Sequence, residues 1–244
     1  MGGMENPLLT FASPTIIVGD KSQTYVAVHE ICHSWTGNEV TTNNWEDFFL
    51  NEGFTVFFER HVTDQLYDRD FAYTEALLGN TSLYNAIQGF GVNNTYSSIH
   101  PVLLGDNPDN SFSEVPYEKG FQMLAYIEKN VLGYTLMEDF LTYYIYNNAL
   151  TSIDAFTMRE TFSNFVESIA SDPETVNQIL AEVDFETWIY GVGTDPSGTL
   201  DFWTDESRQA QELAEAFIQL NGTAPNKNKT DIYFTFYSNL KVVF

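Results

Sequence analysis

His29-Glu30-Ile31-Cys32-His33, followed after eighteen intervening residues by Glu52, is the stretch on which the reading of the fold turns. On a helix, positions i and i+4 lie about 40° apart around the axis, so the two histidines share a face one turn apart. Two imidazoles so placed can both reach one metal ion. Glu30 lies to the side of that pair, where it can reach a water at the metal without ligating the metal. The pattern predicts a helix that carries both histidines through Trp35. It follows a turn at Gly19-Asp20-Lys21-Ser22, with Asp20 or Ser22 as the cap.

These residue types are the donor set of a catalytic zinc centre. Three protein ligands leave a fourth position open, and zinc lowers the pKa of water from about 15.7 to about 7. The motif supplies two ligands and a base. Glu52, in Asn51-Glu52-Gly53-Phe54-Thr55, is the candidate third ligand. The apolar run Phe54, Val56, Phe57, Phe58 predicts a mostly buried second helix that could deliver Glu52 to the open side of the metal. The plainer alternative is a pair of core histidines on an apolar helix. The downstream glutamate weighs against it.

At 244 residues the chain is long enough to bury a sizeable core, and 43% hydrophobic and 16% aromatic content mark it as globular. Its charge is unusual: 34 acidic against 10 basic residues, net −24. Nucleic acid and anionic membrane are poor partners for such a surface, and a cationic substrate is favoured. The plain reading of the charge is solubility. A single cysteine excludes an internal disulfide, and Cys32 reads as a small buried helix residue rather than a ligand. No run of about 18 apolar residues suggests a membrane span, and no signal core opens the chain, so it reads as cytoplasmic.

A second signal is Gly2-Gly3-Met4-Glu5-Asn6. Two glycines let a backbone come close to a ligand, and the carboxylate after them can meet a cation held along it. The alternative is a frayed terminus. Leu8 to Val18 reads as extended segments. Asp68 to Gly89 reads as a helix, and Gly91 to Asn110 as an irregular stretch in which His100 is taken as a surface group. In Val115-Pro116-Tyr117-Glu118-Lys119-Gly120, Pro116 suits a first helical turn, and a phenol at Tyr117 can donate to an oxyanion. Helical spacing continues over 120–131, 135–147, 153–169, 175–188 and 204–220. A Gly- and Pro-rich break separates the last of these, and 232–244 is an apolar tail of open type. The fold class is mainly α (α+β), divided into 1–190, a linker 191–203 and a partial helical region 204–244.

Taken together, GGMENP, GDKS, HEICHSWTGNEVT, LNEGFTVFFERH and SEVPYEKGF resemble the gluzincin aminopeptidases. Among them the chain most resembles the branch of leukotriene-A4 hydrolase and aminopeptidase B. The resemblance runs from Gly2 to about Tyr190. It implies a thermolysin-like zinc catalytic domain with a short N-terminal β portion and a stub of a helical C-terminal domain, holding one zinc ion per chain. It implies His29, His33 and Glu52 as metal ligands, Glu30 as general base and Tyr117 as oxyanion donor. Glu5 would hold the free α-amine of a peptide substrate, and Gly2, Gly3 and Met4 would pair with its backbone. Glu59, seven residues after Glu52, could orient a zinc histidine, although a solvated glutamate reads nearly as well. Asp109 matches an aspartate associated with the branch's epoxide-hydrolase activity. The partner tyrosine position holds Phe112, which puts that activity in doubt. The family's N-terminal β-sandwich does not precede Gly2, so the chain reads as a fragment. The residues near Phe244 read as an exposed former interface. The rival from another class is a non-catalytic, zinc-stabilised assembly subunit. A narrower rival is a thermolysin-type endopeptidase, weakened by Glu5.

Overall fold

A two-stranded antiparallel ribbon opens the molecule: β1 (Gly3–Met4) pairs with β2 (Phe11–Ala12), Gly3 opposite Ala12. The structure is a computed structural model that describes residues 2–243. Met1 and Phe244, at the two ends of the sequence reading, lie outside the described residues. Only this short piece of the predicted extended stretch is strand, and Pro14–Ile16 turns as a 3-10 helix capped by Ser13.

Helix α1 (Thr24–Cys32) carries the first histidine, and His33 stands at its C-cap with helical φ of −56°. The helix is shorter than the expected run through Trp35. Neither Asp20 nor Ser22 caps it: Asp20 accepts from Ser22 N and Oγ, building the turn, and the N-cap position is Gln23. Strand β3 (Val40–Thr42) follows, then α2 (Phe49–Leu66). Phe49, Leu50, Phe54 and Phe57 on α2 are at most 2% exposed and bury on the order of 2 kcal/mol of transfer free energy each. Next, α3 (Arg69–Phe90) is capped by the Asp68 side chain on Phe71 N.

A π-helical turn at Val115–Lys119 leads into α4 (Gly120–Tyr126). Beyond it come α5 (Tyr134–Asn148), β4 (Thr151–Ile153) and α6 (Ala155–Ile169), with β4 parallel to β3 in register Val40–Thr151. The single helix expected over 175–188 is two, α7 (Pro173–Val183) and α8 (Phe185–Tyr190). Asp184 breaks them in the left-handed region (φ 47°) and caps the second through Thr187 N. Residues 191–203 have no regular structure. The chain then forms α9 (Asp205–Ile218), with a Thr204–Ser207 capping box, α10 (Lys227–Thr235) and α11 (Ser238–Val243). The tail left open by the sequence, 232–244, is therefore helical over its described residues except for a break at Phe236 and Tyr237.

One hydrophobic cluster spans α2 to α8. A smaller one, around Ala210, Leu213, Phe236 and Leu240, binds α9 to α11. No helix among the described residues is long and apolar enough to cross a membrane.

His100 corrects an expectation. It is not a surface group: Nδ1 lies 3.0 Å from Oδ1 of Asp47, which is 2% exposed. Asp47 also accepts from Ala155 N at 3.0 Å and from Asn44 Nδ2 at 2.6 Å, tying the start of α2 to the irregular stretch and to α6. Asp47→Ala strands these buried partners and should cost about 2–4 kcal/mol in urea unfolding. The Asp47 hydrogen bond raises the His100 pKa against the effect of burial. The charged pair therefore contributes fully below the unfolded-state pKa near 6.5, and its contribution fades as pH rises through the higher folded value. The stability gap between wild type and Asp47→Ala should narrow on going from acidic to alkaline pH.

Candidate active site

Two glycines set the approach of the helices that carry the site. A Cβ added to Gly53 would lie 2.7 Å from Gly120 Cα, so α2 and α4 meet backbone to backbone. Each glycine neighbours chemistry: Gly53 follows Glu52, and Gly120 stands three residues after Tyr117. A side chain at either position would wedge the two apart. On the other side of α2, Thr55 Oγ1 donates to Thr36 O at 2.8 Å and lies 3.1 Å from His33 Nδ1, locking α1 against α2.

The three expected ligands converge. His29 Nε2 and His33 Nε2 are 3.0 Å apart, and each lies 3.3 Å from Glu52 Oε2. Ligands at about 2.0–2.1 Å around a tetrahedral centre are separated by roughly 3.3–3.4 Å. The other ring nitrogens are already engaged: His29 Nδ1 lies 2.9 Å from Glu59 Oε2, and His33 Nδ1 lies 2.8 Å from Thr36 O. Protons on the two Nδ1 atoms satisfy those acceptors. Both Nε2 lone pairs and a carboxylate oxygen then face one point, an arrangement that calls for a cation. The imidazole and carboxylate donors fit zinc. Burial opposes the charge on His29, but the Glu52 and Glu59 carboxylates outweigh it and push its pKa up to about 10. Glu52 is buried, which disfavours its charge, yet the two histidines hold its pKa down.

Glu30 is 7% exposed, and its Oε2 has no hydrogen-bond partner among the described residues. Burial raises its pKa, partly offset by His29 and His33. Strand β1 passes directly over it, and a Cβ at Gly3 would collide with the Glu30 carboxylate. Glu5 lies on the His33 side, Oε1 4.0 Å from Nδ1, with its backbone oxygen held by Asn38. Met4 is exposed on the edge of the ribbon, and Gly2 O accepts from Ser13 N at 2.8 Å. The Tyr117 ring stacks 6.1 Å from that of His29, and burial with Glu52 and Glu114 keeps its hydroxyl protonated. A cavity of about 660 Å³ opens beside these groups, lined by Gly2, Gly3, His29, Glu30 and Tyr117.

Not every candidate is gathered there. Asp109 sits exposed in its own 3-10 turn and does not line the cavity, whereas Phe112 does and packs on Tyr117. The sequence reading missed the supports. Arg60 Nη2 donates to both oxygens of Glu118 at 2.8 Å, next to Tyr117. Thr36 and Thr55 brace His33, and Glu75, Glu114 and Asn239 line the cavity. Thr36, Thr55, Arg60, Glu114 and Glu118 lay inside the quoted motifs, whereas Glu75 and Asn239 lay in none of them.

Helices braced in this way bring two imidazoles and a carboxylate together as a group that could hold a metal ion. Residues 1–188 match the Peptidase family M1 domain, and the chain belongs to that family. It is 34% identical over 232 residues to Leucine aminopeptidase 2 of Aspergillus clavatus, which covers 95% of this chain and 36% of that protein. It is 42% identical over 195 residues to Leukotriene A-4 hydrolase of Xenopus laevis, covering 80% of this chain and 31% of that one. The structure of yeast LTA4 hydrolase in complex with Bestatin superposes with a TM-score of 0.88 at 32% identity, over 100% of this chain and 39% of that one. The chain thus spans about a third of the length of these relatives, and the mainly helical fold expected from the sequence is theirs over that span.

Proposed function

We propose that this chain is the catalytic part of a zinc-dependent aminopeptidase that removes N-terminal residues from peptides. The observation that carries the reading is the convergence of His29 Nε2, His33 Nε2 and Glu52 Oε2 within 3.0–3.3 Å, with the imidazole Nδ1 atoms hydrogen-bonded and, beside them, a Glu30 oxygen that has no partner among the described residues.

His29, His33 and Glu52 would hold one zinc ion, which when bound supplies a Lewis acid for the scissile carbonyl and for water. Glu59 fixes the His29 tautomer. Glu30 takes the proton of the attacking water and delivers it to the leaving amine. Tyr117, kept protonated, donates to the oxyanion as it forms. Glu5 binds the substrate's α-amine, whose reference pKa of about 7.7–8.0 leaves it mostly charged at neutral pH. The free edge of β1 at Gly2 to Met4 pairs with the first residues of the peptide.

Glu5 makes acetylation the discriminating test. A peptide with a free amine should be hydrolysed at least about 100-fold faster than its N-acetylated form, reflecting a lost charge-assisted contact of about 3 kcal/mol. Equal rates would replace the exopeptidase reading with an endopeptidase one. Zinc bound without hydrolysis of either would favour an assembly subunit.

A further inference from the structure

The cavity beside the catalytic residues is asymmetric. Its wall includes His29 and Glu30 but not His33, Glu52 or Glu5. Glu5 stands at the edge of that wall, 4.0 Å from His33 Nδ1 and within 4.8 Å of the Glu30 carboxylate. A peptide anchored by its amine at Glu5, with its first carbonyl at the ligand cluster, must send the rest of its chain past Gly3 and Gly2 into this cavity. The cavity therefore receives the residues beyond the scissile bond. This assignment rests on the aminopeptidase reading above.

The far wall of that cavity comes from α3 and α11, and it holds a carboxylate whose side chain makes no salt bridge among the described residues. Glu75 is 8% exposed. Its side chain is held by the amide of Asn239, a neutral donor on α11. The other acids on the wall are differently placed: Glu30 lies at the ligand cluster and Glu114 is an exposed residue. Glu59 is bound to His29, and Glu118 takes both of its bonds from Arg60. Arg60 Nη2 meets Glu75 only at its backbone oxygen, at 3.4 Å. Burial, with Glu59 adding to it and the Arg60 charge and the Asn239 hydrogen bond only partly offsetting it, pushes the Glu75 pKa up to about 7. The nearby Tyr25 phenol is raised to about 12 by burial and by Glu75 and Glu59.

A buried carboxylate bonded only to an amide, with Arg60 acting on it from a distance and committed to Glu118, is costly and gains when a second cation arrives. Tyr237 and Ser238, the neighbours of Asn239, fix α11 in place: Tyr237 Oη donates to Thr74 Oγ1 at 2.8 Å, and Ser238 Oγ donates to Asp20. The acid is therefore presented by a braced wall and is not part of the chain's solvated negative surface.

We propose that Glu75, positioned by Asn239, is a specificity residue for the leaving side of the substrate. It selects peptides with Lys or Arg as the first or second residue after the scissile bond. The ammonium or guanidinium would cross the cavity from the backbone at Gly2 and Gly3 and pair with the Glu75 carboxylate.

The test compares kcat/KM of the whole chain on peptides that carry Lys or Gln at the first, or at the second, position after the bond. Wild type should favour Lys about tenfold or more at one of these positions. Glu75→Gln should bring that Lys-to-Gln ratio close to one, and Asn239→Ala should lower it. Equal rates on Lys and Gln peptides in the wild type would overturn the proposal without any variant. So would a preference that survives Glu75→Gln. An aminoacyl amide, which has no residue beyond the bond, separates the two layers. If wild type cleaves it but ignores Lys, only the specificity assignment fails. If wild type cleaves neither, the aminopeptidase reading fails and the assignment falls with it.

Discussion

Replacing Glu30 with glutamine should lower kcat by about 10²–10⁴-fold while zinc binding is retained. Glutamine keeps the volume and the polarity of the side chain, and Glu30 is not among the three atoms that converge on the metal position. What it loses is the ability to accept a proton from water and pass it on. The buried carboxylate has one oxygen without a partner among the described residues, beside the cavity and beneath β1, so its basicity is not spent on a structural bond. KM should change much less than kcat, because the proposed reading places the substrate's amine and backbone contacts on Glu5 and β1. A Glu30→Gln enzyme that kept near-normal turnover with zinc bound would show that another group moves the proton.

Glu52→Gln tests a different link. Glu52 is 4% exposed and faces both imidazoles at 3.3 Å, so on the proposed assignment a neutral amide there removes both a ligand and the charge that balances the cation. Metal affinity should fall by more than the roughly 10–100-fold typical of losing a group that only orients a ligand. Glu59→Gln, which touches His29 only at Nδ1, should stay within that range. Activity should follow metal occupancy in both variants, and added zinc should rescue Glu59→Gln at lower concentration than Glu52→Gln. Competition with a chromophoric chelator reads both affinities. Equal losses in the two variants would remove the distinction drawn between ligand and support.

What the sequence made legible was chemistry at fixed local spacing. His29, Glu30 and His33 lie on one helical segment, so a period of 3.6 places them without knowledge of the rest. Glu52 and Tyr117 were legible as motifs, but what brings them together is the contact of Gly53 with Gly120, and contact between distant glycines leaves no local trace. The helices were read well where apolar spacing was regular, as in α3 and α6. They were misread where one residue decides: Asp184 adopts a left-handed turn and splits a run that periodicity joins. The role of His100 was missed because its partner Asp47 lies 53 residues away and gains its meaning only by burial. Glu75 and Asn239 were invisible for the same reason. Each looks like an ordinary polar residue on its own helix until α11 folds back on α3.

The most direct measurement is zinc content of the folded chain, taken together with hydrolysis of an aminoacyl amide before and after chelation. One zinc per chain, removed by the chelator together with activity and restored with it when zinc is added back, is the predicted result. A folded chain that binds no zinc at neutral pH would contradict the assignment of His29, His33 and Glu52.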